Sequence, residues 1–467
     1  MTATDSVGTE VAAASTAQIA AGDATCAIEE SSSVHAYDYY YRPGQTLREI
    51  PSDKDEFADE WLQCRRFVFG PWFEVGNEVV ATAQTRMFDD HMWQGDELAD
   101  AVVDMFVRVG AEKGRALFEQ AVAEGIDSVS DAPSELVEFF VTVEAIPHWY
   151  DRGQGTRGLD RIQASTIPSL LITGTFAVID TVMNGDVSTA TGATGRFRHD
   201  GNRRLVETAL FFTEILTTSR PGPGSHAYSA ALRVRLMHAQ ARRGLRFAWG
   251  PEHFATNGNP ISNASLCGFF ESILLTLLVD HSLGRPCSTG DLDDAWHFLS
   301  YWSWLMGVSD EILPRTGIDA LKNLDYLLAR NGKPSKWRAE LLDALIGTPV
   351  SGCASPATLF VARVYAACAA VLLGDALAGQ MFADTYWERR LRIKAGAVTL
   401  RVAAWPLTRT AGLRDRIPGI GSVRQRRLAI GAILSAATRV LRQRLAAGNR
   451  SDYVAHDGSL SGAGIAR

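Results

Sequence analysis

Residues 291–307 read DLDDAWHFLSYWSWLMG. Apolar side chains fall at Leu292, Ala295, Trp296, Leu299, Trp302 and Met306, in steps of three and four. That spacing gathers them on one face of a helix with 3.6 residues per turn, where a strand would need strict alternation. Upstream, Leu266, Phe269, Phe270, Ile273, Leu274 and Leu277 repeat the pattern. Ser262 or Asn263, behind Pro260, is placed to cap this second helix. Further upstream, Arg220-Pro221-Gly222-Pro223-Gly224 breaks the chain between two more helical stretches, at 202–218 and 225–247, the second with Ser225 as its cap. Alternating strand patterns with hairpin turns are scarce, and no internal repeat occurs. The sequence predicts an all-α protein.

Composition bounds the rest. A chain of 467 residues with 46% hydrophobic side chains can bury a sizeable core. The formal charge of -7 argues against nucleic acid as a partner. Cys26, Cys64, Cys267, Cys287, Cys353 and Cys368 form no CxxC or CxxCH, which excludes a zinc knuckle and a covalently attached haem. Residues 1–33 carry acids and no Lys or Arg, so no export signal is expected; a cytoplasmic location with reduced thiols follows. The stretch 1–36 has too few large apolar side chains to offset its ordering entropy and reads as a disordered tail. No apolar run reaches the ~20 residues that span a bilayer. The nearest, Ala357 to Phe382, is interrupted by Arg363 and Asp375 and reads as a buried amphipathic helix.

Positive charge is concentrated late. Between Arg389 and Arg450 there are fifteen Lys or Arg and one acid, Asp415. Residues 386–467 are therefore read as a basic helical extension with a disordered end. Within it Leu428, Ile433, Leu434, Val440 and Leu441 favour one helix side and Arg439, Arg442 and Arg444 another. The plainer reading is that this helix packs on the catalytic core with its arginines solvated; the alternative is that the basic surface rests on an anionic membrane. Nothing in the sequence sets the oligomeric state.

The chemistry centres on two helices. The first holds Arg204, Glu207 and Thr208, with Arg204 and Thr208 four apart on one face. The second reads RVRLMHAQARR over 233–243, with His238 at its centre. Small residues, Ala231 and Ala241, lie a turn or so to either side and leave room for a flat cofactor. The flanking arginines could pair with carboxylates such as haem propionates. By spacing alone, the plainer reading of His238 is a core or surface histidine beside a solvated basic face. Other acid–histidine pairs are weaker. Asp294-x-x-His297 and Glu144-x-x-x-His148 lack the paired set that a di-iron bundle needs, and Asp89-Asp90-His91 reads as surface. No nucleophile-elbow or phosphate-loop motif is present.

Arg204-x-x-x-Thr208, a gap of thirty residues and Arg-Val-Arg-Leu-Met-His238 together resemble the signature of the latex-clearing rubber oxygenases and MpaB-type oxygenases. Ile146-Pro147-His148-Trp149-Tyr150-Asp151, Gly258-Asn259-Pro260-Ile261-Ser262-Asn263, Trp302-Ser303-Trp304-Leu305-Met306-Gly307-Val308 and Leu313-Pro314 resemble further family segments in the same order. The resemblance covers about residues 140–345. It implies a globin-like helical core with flanking helices, a haem-binding oxygenase domain over 37–385, and b-type haem held by His238. It also implies that Arg204 and Thr208 are required beside the haem, Glu207 being in the same catalytic stretch. The implied reaction cleaves a C=C bond of an apolar, isoprenoid-like substrate with O2. A helical haem- or ligand-binding protein without turnover is the second reading. Rubber-cleaving members resemble this chain less at Glu207, where they have Lys, and they carry a separate upstream acid, for which Asp180 and Asp186 are the nearest candidates.

Overall fold

The 291–307 stripe forms the helix Thr289–Leu305, and its neighbours are helical too. The computed structural model describes residues 39–193, 207–218, 222–331, 333–347 and 354–415, and among these no strand occurs. The all-α reading holds. The tail 1–36, Cys26, Cys353, Arg204 and the 428–445 helix lie outside the described residues.

Local chemistry sets the helix ends where the sequence places them. Ser288 caps the tryptophan helix: its Oγ accepts from Asp291 N at 3.1 Å while the Asp291 carboxylate accepts from Ser288 N at 2.9 Å. Ser225 accepts from Tyr228 N at 3.2 Å, and of the two candidates near 262 it is Ser262 that caps, accepting from Ser265 N at 3.2 Å. The helix that begins after Ser225 runs further than expected, to Asn257, across a kink where Gly250 takes φ +76° ahead of Pro251. Leu292, Ala295, Trp296, Leu299 and Trp302 are all buried, as their spacing requires. Full burial of such large apolar side chains contributes about 1.5–3 kcal/mol each. Trp296 also donates its indole N–H to Pro314 O at 2.7 Å, tying the Leu-Pro segment to this helix.

Asp89-Asp90-His91 corrects a sequence expectation. It ends the helix Ala83–His91 rather than lying in a surface loop, and Asp90 and His91 are fully buried. The segment around 39–48 covers it: Tyr39 OH donates to Asp90 at 2.5 Å and Arg48 N donates to the same oxygen at 2.8 Å. Four cysteines, Cys64, Cys267, Cys287 and Cys368, are free thiols.

Among the described residues two helical stretches are long and apolar enough to cross a membrane, Asn263–Ser282 and Pro356–Leu373, or three if the bent pair Arg152–Gln163 and Ile167–Met183 forms one span, where the sequence predicts none. Most of the first is buried inside the protein and half of the second. The helix Ile393–Asp415 packs along Pro356–Leu373 and reaches the loop after Ser282, where Thr408 Oγ1 donates to Leu283 O at 2.6 Å.

One buried acid carries a pH prediction. Glu271 is fully enclosed; it accepts from Asn323 Nδ2 at 3.3 Å and its second oxygen has no partner. Burial pushes its pKa up to about 8. Between about 4.5 and 8 the unfolded chain is ionised here and the native one is protonated, so native stability falls as pH rises through that window. Glu271→Gln should therefore stabilise the fold at pH 8, by on the order of 2 kcal/mol or more, and change it little at pH 4.5. Urea unfolding at both pH values checks this; equal shifts at both would contradict it.

Candidate functional site

His238 sits at the middle of the helix His226–Asn257. The side chain as a whole is half-buried, yet its Nδ1 is sealed from solvent and has no hydrogen-bond partner among the described residues. Tyr228 OH and Gln240 Oε1 on the same helix are likewise enclosed and unpartnered. Leaving such an atom unmet costs about 1–3 kcal/mol. Burial first, and then the Arg242 cation, lower the His238 pKa to about 4, so the imidazole is neutral and keeps a lone pair.

The arginines of this helix are committed elsewhere, which corrects their reading as propionate partners. Arg235 makes a buried bidentate pair with Asp96, at 2.6 and 2.9 Å, and donates to Leu305 O at 3.0 Å. Arg242 pairs with Asp100 at 2.7 Å and donates to Ile261 O at 3.0 Å. Arg246 donates to Asn259 Oδ1 at 3.0 Å. Arg233 meets Glu119 at 2.7 Å and Arg243 meets Asp104 at 3.1 Å. Asp96 also caps the helix Glu97–Val109 by accepting from Ala99 N at 3.2 Å. Asp96, Asp100 and Asp104 thus come from the helix Glu97–Val109 and its cap, and Glu119 from the next helix, Ala111–Glu124.

Two glycines let the backbone close over these pairs. A Cβ on Gly307, which has φ +94°, would lie 2.2 Å from Asp96 Oδ2, and one on Gly95 would lie 2.6 Å from Asp100 Oδ2. Asn263 then ties the layers together, donating to Gly307 O at 2.7 Å and accepting from Ser309 N at 2.8 Å. Segments far apart in sequence therefore meet at one knot: 233–246, 258–263 and 302–309. The segment 146–151 plays a similar part on the tryptophan helix. Asp151 N donates to His297 Nε2 at 2.8 Å, and Tyr150 stacks on His297 with centroids 5.2 Å apart. Asp294 is paired with Arg157 at 3.1 Å. Among the described residues no group of three His, Cys, Asp or Glu is placed to hold a metal ion.

Glu207 and Thr208 lie on a different helix, described over 207–215, where both are partly buried. That helix is fastened through Phe212, which packs on Phe269 at 5.1 Å, and through Gln163, which donates to Leu216 O at 2.5 Å. The histidine helix is fastened instead to Glu97–Val109 and Ala111–Glu124. Of the two upstream acids, Asp186 pairs with Lys54 at 3.1 Å. Asp180 accepts from Asn184 Nδ2 at 3.1 Å, and burial raises its pKa to about 6. The sequence reading missed Asp96 and Asp100, although Asp96, Asp100 and Asp104 at four-residue steps are an acidic match for the basic run at 233–246.

Beside the knot lies a cavity of about 270 Å³ lined by Asp96, Arg235, Trp304, Asp310 and Glu311 among others. Its carboxylates make it a poor home for an apolar substrate.

Residues 163–405 match the family described as ER-bound oxygenase mpaB/B'/rubber oxygenase, catalytic domain. Among solved structures, the chain is similar to one titled "Structure of Latex Clearing Protein LCP in the closed state". That match has 18% identity and a TM-score of 0.44, and covers 75% of this chain and 91% of that one. No curated protein matches the chain in sequence.

Proposed function

The chain belongs to the ER-bound oxygenase mpaB/B'/rubber oxygenase family, and from that premise we propose that it is a haem b-dependent oxygenase with His238 as the iron ligand. The observation that carries the reading is the sealed, unpartnered Nδ1 of a neutral imidazole. A neutral ring keeps the lone pair that iron coordination requires. A single protein ligand would suffice to hold haem iron, which suits described residues that gather no group of three His, Cys, Asp or Glu around a metal ion. Haem, when bound, supplies an iron that binds and activates O2.

The chain's own residues have separable tasks. Asp96 and Asp100, through Arg235 and Arg242, fix the rotation and height of the histidine helix. Burial keeps His238 unprotonated, so its ring is ready to ligate without first losing a proton. Arg204 and Thr208 take the positions that the family resemblance puts beside the haem. Asp180, with a pKa near neutrality, is better suited than the ion-paired Asp186 to exchange a proton. The proposed reaction joins O2 to a C=C bond of an apolar, isoprenoid-like molecule and leaves two carbonyl ends.

Conservative replacements test the assignments. Arg204→Lys and Thr208→Val should lower turnover or haem content by roughly ten- to a hundredfold with unchanged far-UV dichroism. Wild-type values in both variants would remove those residues from the site. Substrate size is tested in the same assay. Glu207 stands where rubber-cleaving relatives have Lys, so polyisoprene latex should be turned over weakly and a short isoprenoid alkene faster. Oligo-isoprenoid carbonyls formed from latex at the higher rate would overturn this preference.

A further inference from the structure

The helix Ile393–Asp415 has two apolar faces. One, through Ala397, Ala404 and Thr408, is buried against the protein. The other points outward: Val398 is 61% exposed, Val402 70% and Trp405 51%, with Leu413 two turns further along the same side. A helix that only covers a core would present polar side chains there. Ile167 and Leu171, in the first turns of the helix Ile167–Met183, are exposed as well. Arg285 donates to Ala164 O at 2.7 Å and Thr408 donates to Leu283 O at 2.6 Å, so the loop 283–285 ties Ile393–Asp415 to the end of the helix Arg152–Gln163, just ahead of Ile167.

Charge identifies what covers this face. Lys394, Arg401 and Arg409 are exposed on the helix, and no acid occurs from Ile393 to Leu413, although the whole chain carries -7. Arg409 lies 5.0 Å from the Trp405 ring centre, keeping a cation beside the indole. A symmetric contact of this face with a second copy of itself would set cation against cation. An outward stripe of Val and Trp with a basic border suits the boundary between headgroups and acyl chains, where Trp places its apolar body inward and its N–H in the polar layer.

We propose that the outward face of Ile393–Asp415, with Val398, Val402 and Trp405 as its apolar ridge and Lys394, Arg401 and Arg409 as its cationic border, docks on an anionic phospholipid surface. This holds whether or not His238 binds haem. The mode is peripheral: the opposite face of the helix stays on the protein, and only the ridge enters the lipid.

Sedimentation of the full chain with vesicles tests it, using phosphatidylcholine alone and phosphatidylcholine mixed with phosphatidylglycerol. The protein should pellet with the mixed vesicles and be released by about 0.5 M salt, which screens the cations. Val402→Glu and Trp405→Glu should each lower partitioning by about tenfold or more with an unchanged melting profile. Lys394→Glu with Arg409→Glu should do the same, and serves should either apolar variant fail to fold. Equal recovery with both vesicle types, or wild-type binding by the variants, would overturn the proposal. So would release by detergent alone, which would mean a spanning helix, or a dimer that the same substitutions dissociate.

Discussion

His238→Ala is expected to fold and to lose most of its haem. The side chain is half-buried and makes no hydrogen bond through Nδ1, so its removal breaks no polar contact of that nitrogen. The surrounding helix is held by other residues, chiefly the Asp96–Arg235 and Asp100–Arg242 pairs. The cost to the apoprotein should therefore stay within the usual range for a point mutation, about 0.5–3 kcal/mol. Under the proposed ligation the haem would lose its protein ligand, and a chain without CxxCH offers it no covalent attachment of the c type. Pyridine haemochrome content per chain, measured beside far-UV dichroism, separates the two effects. Full haem retention in a folded His238→Ala protein would remove the residue from the ligand role.

The second large effect is expected at Asp96. Its carboxylate does two jobs, receiving both arms of the Arg235 fork and capping the helix Glu97–Val109. Asp96→Ala leaves a guanidinium buried with its charge uncompensated, which costs about 3–5 kcal/mol, and removes a cap worth about 1 kcal/mol more. Repacking cannot easily relieve this, because Gly307 and Leu305 close the site from the other side. Asp104→Ala is the control. The Asp104–Arg243 pair is exposed on both sides, and its loss should cost under about 1 kcal/mol. Denaturant unfolding of the apoproteins checks both. Similar losses at the two positions would mean that burial does not govern the network.

These two predictions show where the sequence was informative. The helices and two of their caps are legible because periodicity and capping are local: Ser225 and Ser262 act within three residues of themselves. The ordered family segments were legible as a set, and the structure gives several of them a physical meaning. Gly307, Asn259, Asn263 and Arg235 are parts of one hydrogen-bonded knot around the histidine helix. Their order along the chain reflects architecture as much as chemistry.

What was misread depends on distant partners. Arg235 looked free because Asp96 lies 139 positions away, and only packing brings the two together. Asp90 and His91 looked like surface because the segment that covers them, around Tyr39 and Arg48, has no periodic pattern to announce its course. Glu271 is enclosed by a distant partner in the same way: the helix Gly317–Ala329 closes over it through Asn323.

The central claim is that this fold carries haem on His238, and the absorption spectrum of the purified wild-type protein, after haem is supplied during expression, tests it most directly. The account predicts a Soret band in stoichiometric amount, with the haem extracted by acid–acetone because no cysteine links it. A folded, monodisperse protein with no Soret band under the same conditions would contradict it.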